Sequence, residues 1–361
     1  MDSLSQIALG AAVSVAVFRR RQPLWQSALL GAVVGTLPDL DVLVQFDDPI
    51  SDMTRHRAES HGLFYLTLAC WPLAWLWRAI TGAKTSFRLC WLAIFAVLIT
   101  HPLLDTLTIY GTQLAQPFSD RPFGVGSIFV IDPLYTVPLC IGLVLALRRQ
   151  SLRSNDWMLG LSTLYLCFGL LAQQHVKTVA AQQLPADTSG KAMLVTATPF
   201  NTLVWQILVL GPEHYYEGFY ALADGAKPIV WRSWPRDQTL LQHWQKNQHI
   251  AQLTRFSHGF VVLTETTDTF LLADLRMGLA PNYSFHFAFR RDVNGDLATP
   301  CQLSNEGRQG QIGVALHWLY QRASGQQTAA FFNPQQDTAT ALQQAAQYQC
   351  QGEANSAGNT R

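Results

Sequence analysis

"LCWLAIFAVLITHPLLD", residues 89–105, decides how this chain is read. Its first twelve residues carry no charge, and then His101 and Asp105 appear. A helix that crosses a bilayer needs about 20 mostly apolar residues, so residues 89–104 are read as a span. An ionisable group at the end of such a run is expensive to place and is usually functional. Pro102 suits the first position of a helix, with His101 as its entry residue. Asp105 then lies one turn on, close enough to share an ion with His101 or to hold its imidazole in one tautomer.

Working outward, further apolar runs cover residues 4–18, 24–37 (extending towards Val44), 62–80, 128–147 and 157–174. The first two are short, so the expectation is five or six spans. No basic residue precedes the first run and Arg19, Arg20 and Arg21 follow it, the reverse of a signal peptide. Basic residues cluster in alternate connections: Arg19–Arg21, then Arg78, Lys84 and Arg88, then Arg148, Arg149 and Arg153. Positive charge marks the cytoplasmic side. The connections 38–61 and 105–127 are therefore expected outside the cytoplasm, with everything after the sixth run. Arg55, Arg57 and Arg121 are exceptions on that side. The net charge of +1 offers no basic field for nucleic acid.

After residue 175 the pattern changes period. Residues 176–190 read as a polar linker with Pro185 and Ser189-Gly190. "KAMLVTATP", "NTLVWQILVL", "HYYEGFYAL", "HGFVVLTET", "TFLLADLRM" and "YSFHFAFRR" are short, rich in β-branched and aromatic residues, and bounded by turn formers, so they read as strands. "DQTLLQHWQKNQHIAQLTRF" and "DTATALQQAAQYQ" have helical spacing. The fold class expected is an α-helical polytopic membrane domain, residues 1–175, then a small α+β soluble domain with a mostly antiparallel sheet, residues 191–350. A disordered tail is expected over 351–361. Cys301 and Cys350 are the two cysteines of the soluble half, and an oxidising compartment would permit a bridge between them.

The chemistry-bearing residues gather in the connections read as outer. Pro38 precedes Asp39 and Asp41, whose carboxylates suit a divalent ion when the chain turns. His56 and His61 follow, five residues apart, a spacing that does not align them on one straight helix. His101 and Asp105 end the span quoted above, and Asp132 begins the next one. Asp39, Asp41, His56, His61, His101 and Asp105 thus form a nitrogen and carboxylate set that suits zinc, manganese or iron. No cysteine belongs to it, so an open site with a reactive water is expected rather than a closed structural one. Asp47, Asp48 and Asp52 are read as solvated loop charges. Arg57 and Arg121 are the candidate catalytic residues, as holders of an anion in bidentate fashion. Asp274 and Arg276 are read as a structural pair. Trp205, Trp231, Trp234 and Trp244 are read as core or interface anchors.

"DSLSQIALGAAVS", "GAVVGTLPDLD", "HRAESHG", "HPLLDTLTIYGTQLAQPFSDRPFG" and "IFVIDPLYTVPL" together resemble the YdjM-type inner-membrane family of metal-dependent hydrolases, also labelled LexA-binding. The resemblance covers about residues 1–150 closely and the later half loosely. It implies a polytopic membrane protein with a metal site at the Asp and His positions named above, and no substrate. Many members of that family carry a His early in the first helix, where this chain has Gln6. Nothing here looks like a repressor-docking surface.

The function expected is a metal-dependent hydrolase at the outer face of the inner membrane, acting on a lipid or lipid-linked ester or phosphoester. Membrane lipid is the expected partner. The alternative is a non-enzymatic scaffold or envelope-stress factor with a structural metal. Metal transport fits less well, because the middles of the spans carry almost no ionisable residue.

Overall fold

The structure, a computed structural model, describes residues 1–82, 84–188, 192–266, 269–280, 282–291, 295–303 and 312–328. The helix expected over residues 337–349, the tail after 350, and Cys350 with its pairing to Cys301 lie outside the described residues. The chain divides into two compact units. One comprises Met1–Val44, Arg55–Gln174 and Thr196–Thr202, and the other comprises Gln45–Thr54, His175–Val195 and Leu203–Arg361.

The first unit is helical. Its elements are α1 (Ser3–Phe18), α2 (Leu24–Thr36), α4 (Leu63–Ile80), α5 (Phe87–Leu107) and α6 (Pro133–Arg149), with α7 (Leu152–Ala181) running out of it. The short α3 (Pro49–Arg55) belongs almost wholly to the second unit. Among the described residues, two helices are long and apolar enough to cross a membrane, α4 and α5, while α1 and α2 are apolar but shorter. α7 continues to Ala181, so the first residues of the stretch read as a linker are helical.

Between helices in lipid there is no hydrophobic driving force, so close van der Waals packing must hold them. Glycines supply it where α1 crosses α2. A Cβ on Gly31 would sit 2.1 Å from the Gly10 carbonyl oxygen, and one on Gly10 would sit 2.3 Å from that of Gly31. α5 turns one stripe inward: Cys90, Ile94, Val97 and Leu98 are buried. That stripe continues at helical spacing into His101 and Asp105, which are buried too. No helix begins at Pro102 with His101 as its entry residue, the place the sequence reading gives them. Pro102 lies inside a continuous helix. Proline's missing N–H costs one ladder bond, and packing of this stripe outweighs it.

The second unit carries two four-stranded sheets. One has the order β1 (Met193–Ala197), β2 (Val204–Leu210), β3 (His214–Ala221), β4 (Trp231–Pro235). The β2–β3–β4 pairings are antiparallel, with Ile207 opposite Gly218 and Gly218 opposite Trp231. The other has the order β10 (Cys301–Gln302), β9 (His286–Arg290), β6 (Thr269–Asp274), β5 (Val261–Glu265), antiparallel throughout. β7 (Gly278–Leu279) and β8 (Asn282–Tyr283) form a small ribbon. Each of the six segments read as strands contains one, and the "DQTLLQHWQKNQHIAQLTRF" segment forms two helices, α8 (Gln238–His243) and α9 (Gln248–Phe256). Asn247 separates them, capping α9 with its side chain on the amides of His249 and Ile250. The strand β4 and the helix α10 (Ile312–Ala323) were not anticipated. Trp205 and Trp234 are buried core residues of this unit.

Candidate metal centre

Three separate segments meet at one point inside the first unit. Asp39 sits on a 3-10 turn, Pro38–Leu43, that begins as α2 ends. Pro38 fixes the backbone at the first position of the turn. His61 closes a second 3-10 turn, Glu59–His61. His101 and Asp105 stand four residues apart on the inner face of α5. Asp39, His61, His101 and Asp105 each offer one ligand atom, and the four atoms lie within 4.8 Å of one another.

The individual distances are more telling. His61 Nε2 lies 3.2 Å from His101 Nε2. It lies 3.2 Å from Asp105 Oδ2 and 3.5 Å from Asp39 Oδ1. His101 Nε2 lies 3.3 Å from Asp105 Oδ2 and 3.4 Å from Asp39 Oδ1. A tetrahedral ion with bonds of about 2.0–2.1 Å requires ligand atoms about 3.3–3.4 Å apart. Five of the six edges therefore match a tetrahedral ion, and the sixth, between the two carboxylates, lies within the 4.8 Å limit. Asp39 Oδ1 and Asp105 Oδ2 are also buried without a hydrogen-bond partner. Leaving a buried carboxylate oxygen unpaired is costly, and a cation at the centre would satisfy both at once.

The surroundings prepare the ligands. His101 Nδ1 lies 2.7 Å from the Gly35 carbonyl oxygen. That acceptor requires a proton on Nδ1 and leaves the Nε2 lone pair facing the centre. His61 Nδ1 lies 2.8 Å from Ser60 Oγ, and the Ser60 hydroxyl donates to Asp41 Oδ2 at 2.5 Å. Because that hydroxyl proton is committed to Asp41, Ser60 Oγ accepts from His61 and fixes the same tautomer there. Asp105 Oδ1, the oxygen turned away from the centre, takes the Gln6 side-chain amide at 3.1 Å and the Arg57 guanidinium at 3.4 Å, and contacts the Met1 nitrogen. Gln6 also donates to the His101 carbonyl oxygen at 3.3 Å. It therefore supports two of the clustered residues through its amide N–H groups.

Asp41 and His56 stand one layer further out. Asp41 Oδ1 lies 2.8 Å from His56 Nδ1, and Asp41 Oδ2 accepts the Arg57 backbone N–H at 2.9 Å. The His56 ring packs edge-on against Tyr110 and is 6.3 Å from the His61 ring, centre to centre. On a 3-10 turn, residues two apart face different ways, which is why Asp39 reaches the centre and Asp41 does not. Burial raises both carboxyls, but the facing His101 and His61 imidazoles hold Asp39 below its ordinary value. Against the same burial, His56 and the Ser60 hydroxyl hold Asp41 down.

Arg57 is buried, with its guanidinium over the Tyr110 ring at 5.0 Å and 3.5 Å from Thr108 Oγ1. Its φ of 65° is unusual for a bulky residue. Hydrogen bonds on both sides keep it there: its N–H to Asp41, and its carbonyl accepting the Gln113 N–H at 2.9 Å. Arg121 is not brought into the cluster; it is exposed and lies over Phe123 at 5.9 Å. Asp132 is buried elsewhere, capping α6 and accepting the Tyr165 hydroxyl at 2.8 Å. Asp48 is not the solvated charge the sequence reading makes it. It is buried, caps α3 through the amides of Ile50 and Ser51, and lies 3.4 Å from His249 Nδ1. Sequence reasoning passed over Ser60 and the Gly35 carbonyl. Ser60 had a signal, its place beside His61, while a backbone carbonyl leaves none.

Residues 1–176 match the family described as YdjM inner membrane protein. The chain is 28% identical over 116 residues to the inner membrane protein YbcI of Escherichia coli, covering 30% of this chain and 66% of that protein. It is 25% identical over 103 residues to YfhP of Bacillus subtilis, covering 27% of this chain and 29% of that one. The chain thus spans less than two thirds of either relative's length. No solved structure matches it.

Proposed function

We propose that this YdjM-family inner membrane protein is a metal-dependent hydrolase acting on a lipid or lipid-linked ester or phosphoester. The observation that carries the reading is the set of five ligand-to-ligand distances between 3.2 and 3.5 Å around two carboxylate oxygens that nothing else pairs. In this reading residues 1–175 cross the bilayer five or six times. The site and the C-terminal domain lie outside the cytoplasm, following the arginine distribution.

Asp39, His61, His101 and Asp105 would hold the ion. Two nitrogens and two carboxylate oxygens in tetrahedral spacing favour zinc, with manganese or iron as alternatives. When bound, such an ion supplies Lewis acidity that polarises an ester or phosphoryl oxygen and makes water a better nucleophile. The protein's own part is orientation and charge. Gly35 and Ser60 keep both imidazoles in the tautomer that presents Nε2. Asp41 holds Ser60 and His56 in place. Arg57 offsets the charge of Asp105, and Arg121 is the residue with a free approach to an anionic substrate.

Metal analysis of the full-length protein in detergent tests this. Wild-type protein should carry a divalent ion, and His101→Ala and Asp39→Ala should lose it while helical content is unchanged. Full retention of metal by both variants would sink the site. Chelator-sensitive turnover of lipid esters and phosphoesters then separates enzyme from scaffold. No turnover across a broad panel, with metal still bound, would favour the scaffold.

A further inference from the structure

The 3-10 turn that carries Asp39 has inverted polarity. Its two acids point inward: Asp39 faces His61 and His101, and Asp41 faces His56 and Ser60. Its aliphatic residues and the one that follows point outward. Leu40 is 52% exposed, Val42 68%, Leu43 76% and Val44 56%. A turn in water has the opposite arrangement, with polar groups solvated and aliphatics covered. The same inversion appears on α5, where exposed Leu103 lies between buried His101 and buried Asp105. α2, which leads into the turn, also exposes Trp25, Leu29 and Val33 at a spacing of four residues, in a unit that matches an inner membrane family. A segment with apolar atoms outside and polar atoms satisfied inside is what a hydrocarbon solvent demands.

We infer that Leu40, Val42, Leu43, Val44 and Leu103 form a lip seated among the acyl chains of the outer leaflet, across which the metal centre opens sideways to the bilayer. The sequence reading puts residues 38–61 outside the cytoplasm and lets the second apolar run extend towards Val44; this inference seats that extension in the outer leaflet. The occupant of the lip is a lipid acyl chain, because the lip follows directly on α2, whose Leu29 and Val33 are exposed, and carries no charge of its own. A substrate entering there has a hydrocarbon tail that stays in the leaflet and a polar head that meets Asp39 first. That last step rests on the hydrolase reading; the position of the lip does not.

The test places the photo-cross-linking residue benzoylphenylalanine at Leu43 and, separately, at Val42 of the full-length chain. The protein is reconstituted in vesicles of phosphatidylethanolamine and phosphatidylglycerol. Illumination should give acyl-chain adducts at least tenfold above those from the same substitution at exposed Asp47. Adducts no more frequent than at Asp47, or adducts to a second copy of the protein instead of lipid, would overturn the lip. Metal content measured on the same preparations separates the two claims. Metal bound without lipid adducts removes the lip and leaves the hydrolase reading. Lipid adducts without metal keep the lip and remove the metal centre.

Discussion

The two units bury charge in opposite ways. In the second unit each buried acid among the described residues is closed off. Asp274 takes both Nε and Nη2 of Arg276, at 2.9 and 2.6 Å, and the Arg276 backbone N–H at 3.0 Å. Asp224 takes two nitrogens of Arg322, at 3.1 and 2.6 Å, and the Ala221 N–H. Glu217 takes the Gln206 amide at 2.7 Å and the Ala280 N–H at 3.3 Å. In the first unit Asp39 and Asp105 each keep one oxygen open towards the same two imidazoles. Among the described residues, those are the buried carboxylate oxygens without a hydrogen bond. A closed pair is structure; an open, convergent pair is a place for a cation.

Four experiments can break or sharpen that contrast. The largest effect is expected from opening a closed pair. Arg276→Ala leaves Asp274 charged and buried, and should destabilise the second unit by about 3–5 kcal/mol. Hydrogen exchange in β6 of the full chain reads it; unchanged protection would show that the pair is not a structural element.

Next is Glu217, fully buried, whose carboxyl burial pushes up to about 7. Between its ordinary value and 7 the folded state holds a proton that the unfolded chain gives up. Its contribution is therefore complete below about pH 4.5 and is lost as the pH rises through 7, a change of about 3 kcal/mol. Glu217→Gln should flatten this part of the pH profile of thermal unfolding. An unchanged profile would assign the dependence to other groups.

Ser60→Ala should weaken metal binding roughly 10–100-fold without removing a ligand, as loss of a ligand's hydrogen-bond partner does. Titration with zinc in competition with a chelator reads that change, and an unaltered affinity would discard the tautomer argument for His61. The smallest effect is the most diagnostic. Asp39→Asn in metal-free protein should lower thermal stability by no more than about 1 kcal/mol at neutral pH, because no hydrogen bond of Asp39 Oδ1 is lost and only its attraction to the two facing imidazoles goes. A loss of several kcal/mol would make Asp39 a structural acid like Asp274.

Much of this was legible beforehand. The uncharged run before His101 announces a membrane-type helix, and period-2 segments such as "HYYEGFYAL" announce strands. His61, His101, Asp39 and Asp105 were on the candidate set because ionisable residues beside apolar runs are costly and therefore conspicuous. Asp41 and His56 looked equivalent to them, since residue type and proximity in sequence are the same. Asp48 looked like a loop charge because its cap on α3 and its contact with His249 are not local pattern. Pro102 was read as a helix's first position because a local rule about proline was outweighed by side-chain packing along the whole inner stripe.

The sequence by itself determined that a helical, membrane-type half precedes an antiparallel half, and that histidines and acids collect at the ends of apolar runs. Those properties are written in hydropathy and in periods of two and 3.6 residues, which any short window contains. The tertiary structure alone decided which acids and imidazoles converge. Ligation depends on distances among atoms from a turn after α2, a turn before α4 and the inner face of α5. Those distances follow from the close glycine crossing of α1 and α2 and the packing of α5, which no window of sequence holds.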